Sequence, residues 1–103
     1  MPGQEAIVRS ATFASDVAAF DRHLADERRV SPHTRAAYGA DLARFSAFLS
    51  AVFWNRPPAE TYASDVDVLA VRSYLAYLRA EGISKTSIGR HLSALRTCFA
   101  FLK

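Results

Sequence analysis

Apolar residues recur along this chain in four blocks, each at alternating spacings of three and four. Phe13, Val17, Phe20 and Leu24 form the first, and predict a helix over roughly residues 14–28 with one side buried. Its other side carries Asp16, Asp21, Arg22, Asp26 and Glu27, an ordinary solvated face. The second block is Tyr38, Leu42, Phe45, Leu49 and Val52, which follows Ser31-Pro32. Serine is a strong N-cap, and proline fits the first helical position because its missing N–H has no intrahelical partner there. The third block is Val68, Val71, Leu75 and Leu78, with Asp65 or Asp67 as the cap and Tyr74 and Tyr77 flanking the stripe. Glu81-Gly82 ends it, and Ser84 caps a last helix striped by Ile88, Leu92, Leu95, Phe99 and Leu102. No strand period intervenes. The pattern predicts an all-α fold of four helices, as two helical hairpins packed across each other.

The remaining stretches read as connectors. Residues 1–12 lack a period, contain Pro2 and Gly3, and are expected to be loose, which leaves 13–103 as the folded domain. Arg56-Pro57-Pro58 forbids continuous helix between the two hairpins, and Trp54 and Tyr62 are expected to pack over the core edge.

The backs of two helices are unusual. Behind the second stripe lie Ala36, Ala40, Ala43 and Ala47, with Gly39 alongside. Such a face is either sandwiched between two other helices or open to close approach by another helix or DNA. Behind the last stripe lie Thr86, Ser87, Arg90, Ser93, Ala94 and Thr97: small or hydroxylated side chains around one cation. A surface of that relief can lie against a phosphate backbone or enter a major groove.

Composition narrows the classes. At 103 residues the chain is one domain, and 13 basic against 10 acidic residues leave a formal charge of +3. Eleven of the basic residues are Arg, whose planar fork favours oxyanion partners, although the excess alone leaves DNA, an acidic protein and simple solubility open. Cys98 is the single cysteine, so no internal disulfide forms, and its place beside Phe99 makes it a small core hydrophobe. No basic-then-apolar leader and no membrane-length run are present, so a cytosolic protein is expected.

No enzyme is legible. His23, His33 and His91 lack partners at ligand spacing, so no metal is expected, and no Gly-rich loop suggests a cofactor. Paired carboxylates at Asp26-Glu27 and Asp65/Asp67 are explained by helix ends, and Arg44, Arg72, Arg79 and Arg96 by solvation or ion pairing. What remains is two helix starts, Ser31-Pro32-His33-Thr34-Arg35 and Ser84-Lys85-Thr86-Ser87 followed by Arg90 and His91. Each joins a cap, hydroxyls and cations to unpaired backbone N–H groups, the makings of a phosphate site.

Two runs carry a family resemblance. FDRHLADERRVSPHTRAAYGADLARFSAFL, residues 20–49, is similar to the opening of tyrosine recombinases, or phage integrases, through Leu24, Glu27, Arg28, Ser31, Thr34, Tyr38, Asp41, Leu42 and Phe45. The run over residues 71–102 resembles the same family more closely, above all in Ser87-Ile88-x-Arg90-x-Leu92-Ser93-Ala94-Leu95-Arg96. The resemblance is nearest to the bacterial Xer type. It implies the N-terminal core-binding domain, a four- or five-helix SAM-like orthogonal bundle that covers one face of double-stranded DNA while a separate C-terminal domain holds the chemistry.

It also implies that the second and fourth helices approach the major groove of a recombination half-site. Ser31, His33, Thr34 and Arg35 would then contact DNA from one, and Lys85, Thr86, Ser87, Arg90 and His91 from the other. The first helix would meet further protomers on DNA, the isolated domain being monomeric. The catalytic machinery lies beyond this domain in the family, so strand cleavage is not expected of these residues. The competing expectation is a helical protein–protein module using the acidic first helix and an exposed Phe101.

Overall fold

The computed structural model describes residues 11–103, and the expected loose stretch falls outside it for residues 1–10. Thr12 is ordered: it is the N-cap of α1 (Phe13–Asp26), its side chain accepting from the Ser15 N–H at 3.3 Å. Ser31 caps α2 (Pro32–Phe48), Asp67 caps α3 (Val68–Ala80), and Ser84 caps α4 (Lys85–Leu102). Gly82, at φ +80°, supplies the left-handed turn between α3 and α4.

The helices form the two expected hairpins. Phe13 meets Phe45 while Asp21 meets Arg35, so α1 and α2 run antiparallel. Tyr74 meets His91 across the α3–α4 hairpin. The second hairpin packs on the first, stacking Phe99 on Phe13 at 5.8 Å between ring centroids and setting Phe101 on Phe20 at 5.6 Å. Phe101 also stacks on His23 at 4.8 Å and is half-buried, not the exposed aromatic that the protein-module expectation used. Cys98 is buried, and burial pushes its thiol up to about 12, which makes it an inert core residue.

Two stripes shift from their expected positions. The chain leaves α2 through one π turn, Leu49–Phe53, which holds more residues per turn than an α-helix. The extra residue swings Val52 outward to 58 % exposure and sets Phe53 against Phe48, with ring centroids 6.0 Å apart. In α3 the buried line is Ala70, Tyr74 and Leu78, because Tyr74 is drawn inward against Phe45, Phe48 and His91. Val68 is the first residue after the cap and stands 66 % exposed, and Leu75 is half-buried. Leu92, expected in the core, is also only half-buried, beside Val68 and Val71.

Between the hairpins, short 3₁₀ turns at Pro58–Glu60 and Ala63–Asp65 replace regular helix. This connector is tied down. The Phe13 N–H donates to the Thr61 carbonyl at 2.8 Å, and the Arg56 guanidinium lies 4.2 Å over the Trp54 ring while pairing with Asp65 at 3.3 Å. Trp54 packs against the core as expected. Among the described residues no helix is long and apolar enough to cross a membrane.

Candidate nucleic-acid interface

The starts of α2 and α4 are built alike. Ser31 Oγ accepts from the Thr34 N–H at 3.3 Å and lies 3.1 Å from the Thr34 hydroxyl. Ser84 Oγ accepts from the Ser87 N–H at 3.2 Å and lies 3.2 Å from the Ser87 hydroxyl. Ser31, His33 and Thr34 are exposed on one tip, and Lys85 and Thr86 on the other, with Ser87 half-buried.

The arginines are not the free cations that the sequence suggested. Arg35 donates from Nε and Nη2 to the two carboxylate oxygens of Asp21, at 3.1 and 2.8 Å. That hydrogen bonding holds the Asp21 carboxyl below the usual carboxylate range. Arg90 grips Asp41 in the same way, at 2.8 Å from Nε and 2.9 Å from Nη2. Here the carboxylate is buried at 4 % exposure while the arginine side chain stays 47 % exposed.

His91 is a correction. It was expected on the DNA face, yet it is buried at 4 % exposure, with Nδ1 3.1 Å from the Tyr74 hydroxyl and Nε2 3.4 Å from Asp41. An ionised Asp41 carboxylate can only accept, so the tautomer that satisfies both contacts leaves Nδ1 to accept from the Tyr74 hydroxyl. The imidazole N–H then falls on Nε2, facing the carboxylate. Desolvation lowers the His91 pKa, with Asp41 opposing and the Arg90 and Arg44 charges assisting. Tyr74 of α3, His91 and Arg90 of α4, and Asp41 of α2 thus form one chain of polar contacts that locks the first turns of α4 onto α2. Among the described residues no buried side-chain nitrogen or oxygen lacks a partner.

This network has a consequence in mild acid. Below the ordinary imidazole value of 6.5 the unfolded chain takes up a proton at His91 before the folded one does. Stability is therefore expected to fall as the pH drops through about 6.5, at a pH above the range where the Asp21 pair is lost. Thermal melts at stepped pH check this, and His91→Gln is expected to flatten that part of the profile.

The outer faces of both helices are open. Ala36, Ala40, Ala43 and Ala47 are all exposed, so the alanine face of α2 is not sandwiched within the described fold. On α4, Thr86, Gly89, Arg90 and Ser93 are exposed, whereas Ala94, expected beside them, is fully buried. A methyl group added at Gly89 would meet nothing within 4 Å, so internal packing does not explain the glycine. Asp41 lies six residues beyond Arg35 on α2, an axial rise of about 9 Å and roughly a third of a turn around the helix. Arg35 and the Arg90 clamp accordingly flank the exposed face of α2 from its two sides.

Sequence reasoning missed Asp41 and Tyr74 as parts of this region. One signal was available: Asp41 interrupts the apolar run Tyr38–Leu42–Phe45, and a carboxylate on a buried helix face requires a cation. Of the other arginines, Arg44 lies 3.8 Å from Glu81 and 6.0 Å over the Tyr77 ring, and Arg72, Arg79 and Arg96 are exposed. Among the described residues, no group of three His, Cys, Asp or Glu is placed to hold a metal ion.

Comparison with known proteins adds a family. The model of the phage integrase, N-terminal SAM-like domain, matches residues 17–103. A tyrosine recombinase XerC of Pelobacter propionicus is 45 % identical over 86 residues, covering 84 % of this chain and 27 % of that protein. XerC proteins of Roseiflexus sp. and Lacticaseibacillus casei are 41 % and 40 % identical over 86 residues each, again covering 84 % of this chain and 26 % and 27 % of theirs. The chain therefore spans about a quarter of the length of these relatives. No solved structure matches.

Proposed function

Because the chain belongs to the phage integrase N-terminal SAM-like domain family, we propose that it is the DNA-holding part of a site-specific tyrosine recombinase. It grips one side of a recombination half-site with the starts and outer faces of α2 and α4. Strand cleavage and rejoining fall to the rest of the protein, and further protomers assemble on the same DNA. The observation that carries this reading is the pairing of two like-built, exposed helix tips whose relative position is fixed by the Asp41–Arg90 clamp.

Backbone N–H groups at each tip, the serine and threonine hydroxyls, His33 and Lys85 are the phosphate-facing groups. Because Arg35 already has a carboxylate partner, and the net charge is only +3, the affinity of this part alone is modest. His91 is withdrawn from the DNA-facing set.

Titration of a fluorescein-labelled duplex at about 50 and 200 mM salt tests the reading. Neutralising about four phosphates gives a log–log slope near −3.6, hence roughly a hundredfold weaker binding at the higher salt. A second reading, a helical protein-interaction module, is favoured by Val68, exposed beside the half-buried Leu92, and by its exposed chain neighbour Leu69. Absence of duplex binding at both salts would favour that module.

A further inference from the structure

We propose that Asp41 is a positioning residue for Arg90: it turns a mobile phosphate-seeking cation into an oriented fork that reads a base edge. This rests on the DNA-holding role of α4 proposed above. Asp41 is itself buried on α2 and held from beneath, with His91 Nε2 3.4 Å from one oxygen and Tyr74 bonded to the far side of that imidazole. The carboxylate has little freedom, and the guanidinium bound to it inherits that restraint. Two of the five guanidinium N–H donors are taken, those on Nε and Nη2 facing Asp41. Of the three left, one on Nη1 and one on Nη2 share the outer edge of the fork. Arg90 is exposed on α4 together with Thr86, Gly89 and Ser93.

Two acceptors side by side suit that edge, as on guanine O6 and N7 in a major groove. Charge points the same way. Paired with a carboxylate, Arg90 releases few counterions, so it adds little to sequence-independent affinity. Its contribution lies in discrimination between sequences. A merely structural Asp41 would behave differently, because loosening the fold weakens binding to every duplex alike.

The test uses the 103-residue chain with two probes: duplexes enriched by that chain from a randomised 20-base-pair pool, and the unselected pool. Asp41→Asn keeps the shape but frees the Arg90 charge. It is expected to raise affinity for the unselected pool, steepen the salt slope by about 0.9, and cut the preference for enriched duplexes by roughly five- to a hundredfold. Arg90→Lys keeps the charge without the fork, and is expected to lose the same preference. It also serves if Asp41→Asn fails to fold. An unchanged preference in both variants, or an equal loss on both probes, overturns the proposal. So does a wild-type chain that binds duplex but enriches no sequence, which leaves the DNA-holding role standing. A wild-type chain that binds no duplex removes that role, and the proposal with it.

Discussion

Phe45→Ala is expected to lower the free energy of unfolding by about 3–5 kcal/mol. Phe45 is fully buried on α2, with the Phe13 ring edge-on at 5.8 Å and the Tyr74 ring at 4.9 Å. It joins three helices, since Phe13 belongs to α1 and Tyr74 to α3. Truncation removes the apolar area and leaves a cavity that the surrounding packed rings cannot readily close. For a domain of this size that is a large share of the total stability, so partial unfolding near 37 °C is expected. Val52→Ala is the control: Val52 carries the same stripe spacing but projects into solvent, and its truncation is expected to change stability by less than about 0.5 kcal/mol. Urea melts of the two variants check both values. Equal losses would place Val52 in the core and remove the π turn from the account.

Arg90→Ala is expected to weaken binding to sequence-enriched duplexes and also to destabilise the fold, by about 1–3 kcal/mol. The stability loss comes from the partner. Asp41 is buried, and without Arg90 its carboxylate keeps only the 3.4 Å approach of His91. The arginine end is half in water, which places the effect toward the lower part of that range. Losing the cation also removes one of the influences that depress the His91 pKa, so the acid sensitivity of the variant shifts to lower amplitude. Combined thermal melts and duplex titrations separate the two losses. Full stability with weakened binding would mean that Asp41 does not depend on Arg90.

The periodicity of apolar residues located all four helices, and the caps at Ser31 and Ser84 were readable because their chemistry is local. The π turn was not readable: it slips the register by one residue for tertiary reasons, so Val52 and Phe53 exchange roles without any local signal. Tyr74 was set at the edge of its stripe because a phenol is amphipathic, yet packing against three aromatic or imidazole rings draws it to the centre. The carboxylate partners of the arginines were unreadable for a similar reason. Arg35 and Arg90 sit at the expected tips, but their carboxylate partners lie 14 and 49 residues away in sequence. A pairing across the fold leaves no mark on local composition, and it also buries His91, which local spacing had turned outward.

The central claim is that the starts and outer faces of α2 and α4 form a single DNA-facing surface. Amide chemical-shift mapping of the isotopically labelled chain, on addition of a duplex, tests it most directly. The account predicts shifts concentrated in residues 31–36 and 84–93, with both segments responding at one stoichiometry and weakening together as salt is raised. Shifts confined to α1, or to the apolar cleft between Val68 and Leu92 with the two tips silent, would contradict it.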